Sequence, residues 1–124
     1  MTLFSGVPYE YTSRADGLVF AAGACPLDAD GRTVAPGDLE AQARRTVDNL
    51  LEALAEAGAS TRDLLKTTIY VVAEDRSDLT RAWNVISERL GRVPSTLLGV
   101  SLLGYPDQLV EIEAIACAPG DRDR

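Results

Sequence analysis

A chain of 124 residues with 46% hydrophobic residues is long enough to bury one core and too short for a second domain. Its net charge of −7 opposes contact with phosphate backbones, so nucleic acid is not an expected partner. It has no histidine, which excludes Ser-His-Asp and Cys-His catalysis, histidine-ligated zinc and imidazole acid/base chemistry.

Any catalysis therefore draws on carboxylates, tyrosines, Ser/Thr hydroxyls, backbone groups or bound water. The apolar runs are short and the start "MTLFSGVPYE" lacks a signal-peptide pattern, so the expectation is a cytoplasmic protein with no membrane partner. Cys25 and Cys117 stand outside any paired motif and are expected as reduced, buried small hydrophobes. Phosphate-binding glycine loops, paired CxxC motifs and EF-hand spacings are absent, so neither cofactor nor metal is expected.

In chain order, a strand around Tyr9 to Ser13 can pair through "RADG" with "GLVFAAG" (Gly17 to Gly23), a short apolar run bounded by glycines. The loop "PLDADGRTVAPGD" follows. From Asp38 the period changes. Leu39, Ala43, Val47, Leu50 and Leu54 recur at three- and four-residue steps, with Asp38 as N-cap and Gly58 as stop, which predicts a helix. "LLKTTIYVV" (Leu64 to Val72), β-branched and aromatic, predicts a strand. A second helix starts from a Ser77 cap, carries Leu79, Trp83, Ile86 and Leu90 on one stripe and ends at Gly91. "STLLGVSLLGYPDQLVEIEAIACA" predicts a pair of strands around a turn at "GYPDQ". Residues 1–118 are read as one domain and 119–124 as a flexible charged tail.

This order predicts an α+β fold, a mixed sheet with two helices packed on one face. The opposite face, on which Leu65, Thr67, Ile69 and Val71 are expected, is too apolar for water and is read as a subunit interface with ligand clefts between copies. In "LVEIEAIACAPG", strand alternation sets Val110, Ile112, Ala114 and Ala116 on one face and Glu111, Glu113 and Ile115 on the other. The two glutamates are either solvated residues paired with Lys66 or Arg92, or else one of them lines a cleft as general base or water holder. Tyr9, Tyr11, Tyr70 and Tyr105 read as half-buried packing residues whose hydroxyls are candidate donors. Asn84, inside a helix beside Trp83, is a poor helix former there and a candidate loop holder.

Taken together, "PYEYTSRADGLVFAAGACPLD", "AQARRTVDNLLEALAEAGAS", "DLLKTTIYV", "WN" and "VPSTLLGVSLLGYPDQLVEIEAIA" resemble the RidA/YjgF family over nearly the whole chain. The resemblance implies a chorismate-mutase-like fold, a homotrimer whose sheets line a central barrel, and a site in each cleft between subunits. It implies cofactor-free hydrolysis of reactive 2-imino acids, or their enamine tautomers, to 2-keto acids and ammonia. By the same resemblance Glu111 holds or deprotonates water, Tyr9 lines the cleft or donates a proton, and Gly23, Pro26 and Asn84 match further family positions.

The family arginine that clamps a substrate carboxylate is missing. Its position falls on Ser95 or, with one hairpin residue placed differently, on Thr96; the nearest arginine is Arg92. Ala22 and Ala24 replace the Ser and Gln of the family's "SGQxP" pattern. Unless Arg92 or a neighbouring subunit supplies the clamp, the expectation is a divergent member that handles free 2-imino acids poorly and hydrolyses or tautomerises a less polar imine, enamine or related carbonyl-derived compound, contacted through Ser95 and Thr96. The alternative is a non-catalytic trimer binding a metabolite or partner in the same clefts.

Overall fold

The computed structural model describes residues 3–118. The chain opens with an antiparallel hairpin of β1 (Thr12–Ala15) and β2 (Leu18–Ala24). Its turn residues Asp16 and Gly17 take φ of 53° and 78°, the type I′ pattern that matches the twist of the strands. β1 begins at Thr12 rather than near Tyr9: Tyr9 and Tyr11 precede the ladder and meet edge to face, with ring centroids 6.1 Å apart.

Helix α1 (Leu39–Glu56) starts where its cap predicts, with Asp38 accepting from Ala41 N at 3.0 Å. Leu39, Ala43, Val47, Leu50 and Leu54 are all buried, and Gly58 at φ 86° turns the chain out of the helix. A single 3-10 turn (Thr61–Asp63) leads into β3 (Leu64–Val72), which has the predicted bounds. Helix α2 (Arg76–Leu90) is capped by Asp75, which accepts from Ser77 N at 2.9 Å; Ser77 is a first-turn residue instead of the cap. Asp75 has extended backbone immediately before the first helical residue, the position from which a carboxylate meets the free N–H groups of the first turn.

β4 (Ser95–Val100) and β5 (Val110–Cys117) are not neighbours, contrary to the strand pair expected around "GYPDQ". The sheet order is β1-β2-β5-β3-β4. β4 runs parallel to β3 at the edge, because α2 carries the chain back over the sheet as a crossover. The stretch from Ser101 to Leu109 then passes β3 and delivers β5 to the middle, antiparallel to both β2 and β3.

Both helices pack on one face, α1 over β2 and β5 and α2 over β3 and β4, which is the α+β arrangement the element order predicts. The alternating burial of β5 puts Val110, Ile112, Ala114 and Ala116 under the helices. Thr67, Ile69 and Val71 also point into this core, so the reading that set them on the open face is corrected. An irregularity between Leu64 and Lys66 shifts the register there, leaving Leu65 exposed. The open face carries Lys66, Thr68 and Tyr70 beside Glu111 and Glu113, together with the exposed Phe20 and Leu98. Residues 119–124, read as a tail, lie outside the described residues.

Candidate functional site

Glu111 is the second residue of β5 and pairs with Tyr70 of β3 on the open face. What singles it out is β2. Ala21 pairs with Ala114 and Ala24 with Ile112, so Ala22 and Gly23 together oppose the single Glu113. Such a bulge re-aims the strand locally. It brings Gly23 beneath the Glu111 side chain, where a Cβ would stand 2.2 Å from Oε2. Glycine is the residue that leaves room for the carboxylate.

Glu111 Oε1 accepts from Gln108 Nε2 at 3.2 Å and from the Cys25 thiol at 3.5 Å. Around it opens a cleft of about 300 Å³ lined by Tyr9, Gly23, Cys25, Gly104, Tyr105 and Glu111. The hydroxyls of Tyr9 and Tyr105 lie 3.1 Å apart and share a hydrogen bond. Burial, and then the bond to Tyr105, pushes the Tyr9 phenol upward; burial, and then the Glu111 charge, pushes the Cys25 thiol up to about 12. At neutral pH both groups are protonated donors. Cys25, read from sequence as a small hydrophobe, is buried as expected, but its thiol also faces the carboxylate.

The turn that supplies Tyr105 is held from two sides. Gln108 N donates to Tyr105 O at 3.2 Å around Pro106 and Asp107, and Asp107 has φ 62°, the type II pattern. Gln42 of α1, fully buried, donates to Asp107 O at 3.0 Å and accepts from Leu109 N at 2.8 Å. Neither glutamine was singled out from the sequence. The signal for Gln108 was its place at the end of the Tyr105-Pro106-Asp107-Gln108 turn, three residues before Glu111.

The structure thus brings Glu111, Tyr9 and Gly23 together and places the other predicted site residues elsewhere in the protomer. Asn84 is exposed on α2 beside Trp83. Arg92 lines a separate groove of about 570 Å³ with Trp83, Ser87, Gly91 and Val93. Ser95 Oγ is 2.6 Å from Thr67 Oγ1 and donates to Val93 O at 2.9 Å, while Thr96 Oγ1 accepts from Lys66 Nζ at 2.8 Å. Glu113 accepts from Tyr70 OH at 2.6 Å and lines another hollow, with Lys66, Thr68 and Phe20. The two glutamates therefore serve different neighbours. Among the described residues, no group of three or more Cys, Asp or Glu is arranged to hold a metal ion, and no helix is long and apolar enough to cross a membrane.

Residues 3–118 match the sequence profile of the family described as Endoribonuclease L-PSP. A RutC family protein of Pyrococcus abyssi is 34% identical over 110 residues, covering 88% of this chain and 85% of that protein. The 3-aminoacrylate deaminase RutC of Acinetobacter baylyi is 30% identical over 110 residues, covering 88% and 86%. The crystal structure of a YjgF family member from Mycobacterium tuberculosis superposes with a TM-score of 0.76 at 30% identity, covering 94% of this chain and 98% of that one. With motifs, topology and sequence profile in agreement over almost its full length, the chain belongs to the Endoribonuclease L-PSP family, also called RidA/YjgF.

Proposed function

We propose that the protein is a cofactor-free hydrolase of imines or enamines and that Glu111 directs the water. The observation that carries this reading is the division of labour in the carboxylate: Oε1 is anchored by Gln108 and Cys25, while Oε2 lies over Gly23 at the cleft. A carboxylate fixed at one oxygen and free at the other is suited to hold a water in line with a bound electrophile. The similarity to a 3-aminoacrylate deaminase supports the same reaction class.

For an enamine, the Tyr9–Tyr105 hydroxyl pair gives a proton to the β-carbon and yields an iminium. Water adds to the iminium carbon as Glu111 takes its proton. That proton passes to nitrogen, the C–N bond breaks with release of ammonia, and the carbonyl forms as the carbinol hydroxyl returns its proton to the tyrosine pair. The sum is enamine plus water giving carbonyl compound plus ammonia. The Tyr9–Tyr105 pair stands in the cleft as the hydroxyl donor, and the Glu111 charge favours the iminium over the neutral imine.

No lysine or arginine lines the cleft among the described residues. It therefore suits a neutral or cationic substrate better than a free 2-imino acid. Loss of a buried bidentate clamp costs about 2–5 kcal/mol of binding. We place the protein in a homotrimer closed over the open sheet face, a reading supported by the exposed Phe20 and Leu98 there. In that assembly Ser95, Thr96 and Asn84 contact substrate from the neighbouring subunit, while Arg92 stays in its own groove beside Trp83. Such a protein works in the cytoplasm on a small metabolite. The family's descriptive name notwithstanding, a net charge of −7 argues against an RNA substrate.

The test is ammonia release from a panel of imines generated in situ. Wild type should exceed the buffer rate, and Glu111→Gln should fall to it. Equal rates for the two proteins would remove Glu111 from the chemistry. Ligand-dependent thermal stabilisation without turnover would favour the binding-protein alternative.

A further inference from the structure

We infer that Gln108 is the positioning residue of the Glu111 carboxylate and that it couples this carboxylate to the loop carrying the Tyr105 hydroxyl. The inference rests on the role proposed for Glu111.

Three hydrogen bonds leave no freedom in the Gln108 amide. Its Oε1 accepts from Tyr105 N at 3.0 Å. A backbone N–H can only donate, so this contact fixes which end of the amide is oxygen. The other end, Nε2, must then face β5, where it donates to Val110 O at 3.0 Å and Glu111 Oε1 at 3.2 Å. Gln108 is 4% exposed, so water does not replace any of these partners at low cost.

The consequence is mechanical. Tyr105 and Glu111 lie six residues apart on a loop and a strand that share no ladder, yet both are tied to one rigid amide. The loop cannot tilt Tyr105 away from Tyr9 without pulling the donor from the carboxylate. Cys25 makes only a long sulfur contact to the same oxygen, so Gln108 is the stronger anchor. Gln42 holds the outer side of the turn but does not reach the carboxylate, its bonds going to Ala35 O, Asp107 O and Leu109 N.

Two variants separate positioning from mere folding. Gln108→Met keeps the volume and removes all three bonds. Gln108→Glu keeps an acceptor for Tyr105 N but sets a second carboxylate against Glu111. With wild type as reference, kcat of Gln108→Met should fall roughly tenfold to a hundredfold with KM little changed, as for a group displaced by about 1 Å. Gln108→Glu should be similarly impaired at neutral pH and recover relative to wild type as pH falls, because the introduced carboxyl group, once protonated, can donate where the amide did. Parallel pH profiles for all three proteins would overturn the inference.

A readout that needs no activity keeps this separate from the proposed reaction. In crystal structures, Gln108→Met should show the Glu111 carboxylate rotated off its place over Gly23. Exchange of the Tyr105 amide hydrogen should be faster in Gln108→Met but not in Gln108→Glu. A carboxylate unmoved in Gln108→Met overturns the inference even if wild type hydrolyses imines. If wild type proves inactive on every imine, the proposed reaction fails, and the carboxylate position alone decides the role of Gln108.

Discussion

Gly23 and Glu111 interlock: a Cβ on Gly23 would lie 2.2 Å from Oε2 and 2.6 Å from Cδ of the glutamate. The carboxylate is the flexible partner and would be the one to move. Gly23→Ala should therefore leave the fold intact and displace Oε2 from the cleft. Imine hydrolysis should drop by about a hundredfold, the size expected for a catalytic group misplaced by about 1 Å. Steady-state kinetics beside a thermal melt checks this; a large fall in melting temperature instead would assign Gly23 to the bulge itself.

The two glutamates should separate cleanly under mutation. Glu113 is occupied by Tyr70, and that bond is the first cause raising the Tyr70 phenol. Tyr70→Phe should cost about 1 kcal/mol or less, as for one partly exposed hydrogen bond, and barely alter turnover. Glu111→Gln should reduce turnover by about 10²- to 10⁴-fold, the range for loss of a general base. Comparing kcat across both variants tests the assignment.

The Cys25 thiol titrates from an ordinary 9.0 to about 12, chiefly through burial and then through the charge of Glu111. A folded pKa raised above the unfolded value means that the folded state holds its proton more tightly. The associated stability is complete below pH 9 and is lost as pH rises from 9 toward about 12. Urea midpoints should decline over that window, and Cys25→Ala should decline less steeply. In the native protein at pH 8, iodoacetamide should leave Cys25 unmodified, since the reactive thiolate is scarce.

Two changes remote from the cleft calibrate the core. Leu50 is fully buried between α1 and the sheet, and Leu50→Ala should cost about 2–5 kcal/mol. Asp38 caps α1 through Ala41 N, and Asp38→Ala should cost about 1 kcal/mol. Urea unfolding of both variants measures the difference.

Local signals served the sequence reading well and long-range placement did not. The cap at Asp38, the stop at Gly58 and the bounds of β3 follow from periodicity and turn chemistry within a few residues. The outward direction of Glu111 follows from period-two alternation in β5. The parallel pairing of β4 with β3 depends on the α2 crossover, which no local pattern encodes, and so β4 and β5 read as partners. The face of Thr67, Ile69 and Val71 was assigned wrongly although Lys66, Thr68 and Tyr70 make the other side of β3 the more polar one: alternation separated the two sides, and the side that meets the helices was misjudged. Gln108 escaped notice because a glutamine in a turn reads as solvent-exposed; its role arises only when the turn folds over Glu111. The substrate-contact roles of Asn84, Arg92, Ser95 and Thr96 came from the family resemblance, and within one protomer these residues lie apart from the cleft.

The most direct test of the account compares ammonia release by wild type from 2-iminopropionate and from its methyl ester, each generated in situ. A cleft with Glu111 in its lining and no cation there among the described residues should hydrolyse the neutral ester at least about tenfold faster over background, since the acid brings an unpaired carboxylate toward Glu111. Ser95→Arg should narrow that preference. A faster rate on the free acid, or no rate above buffer on either compound, would contradict the account.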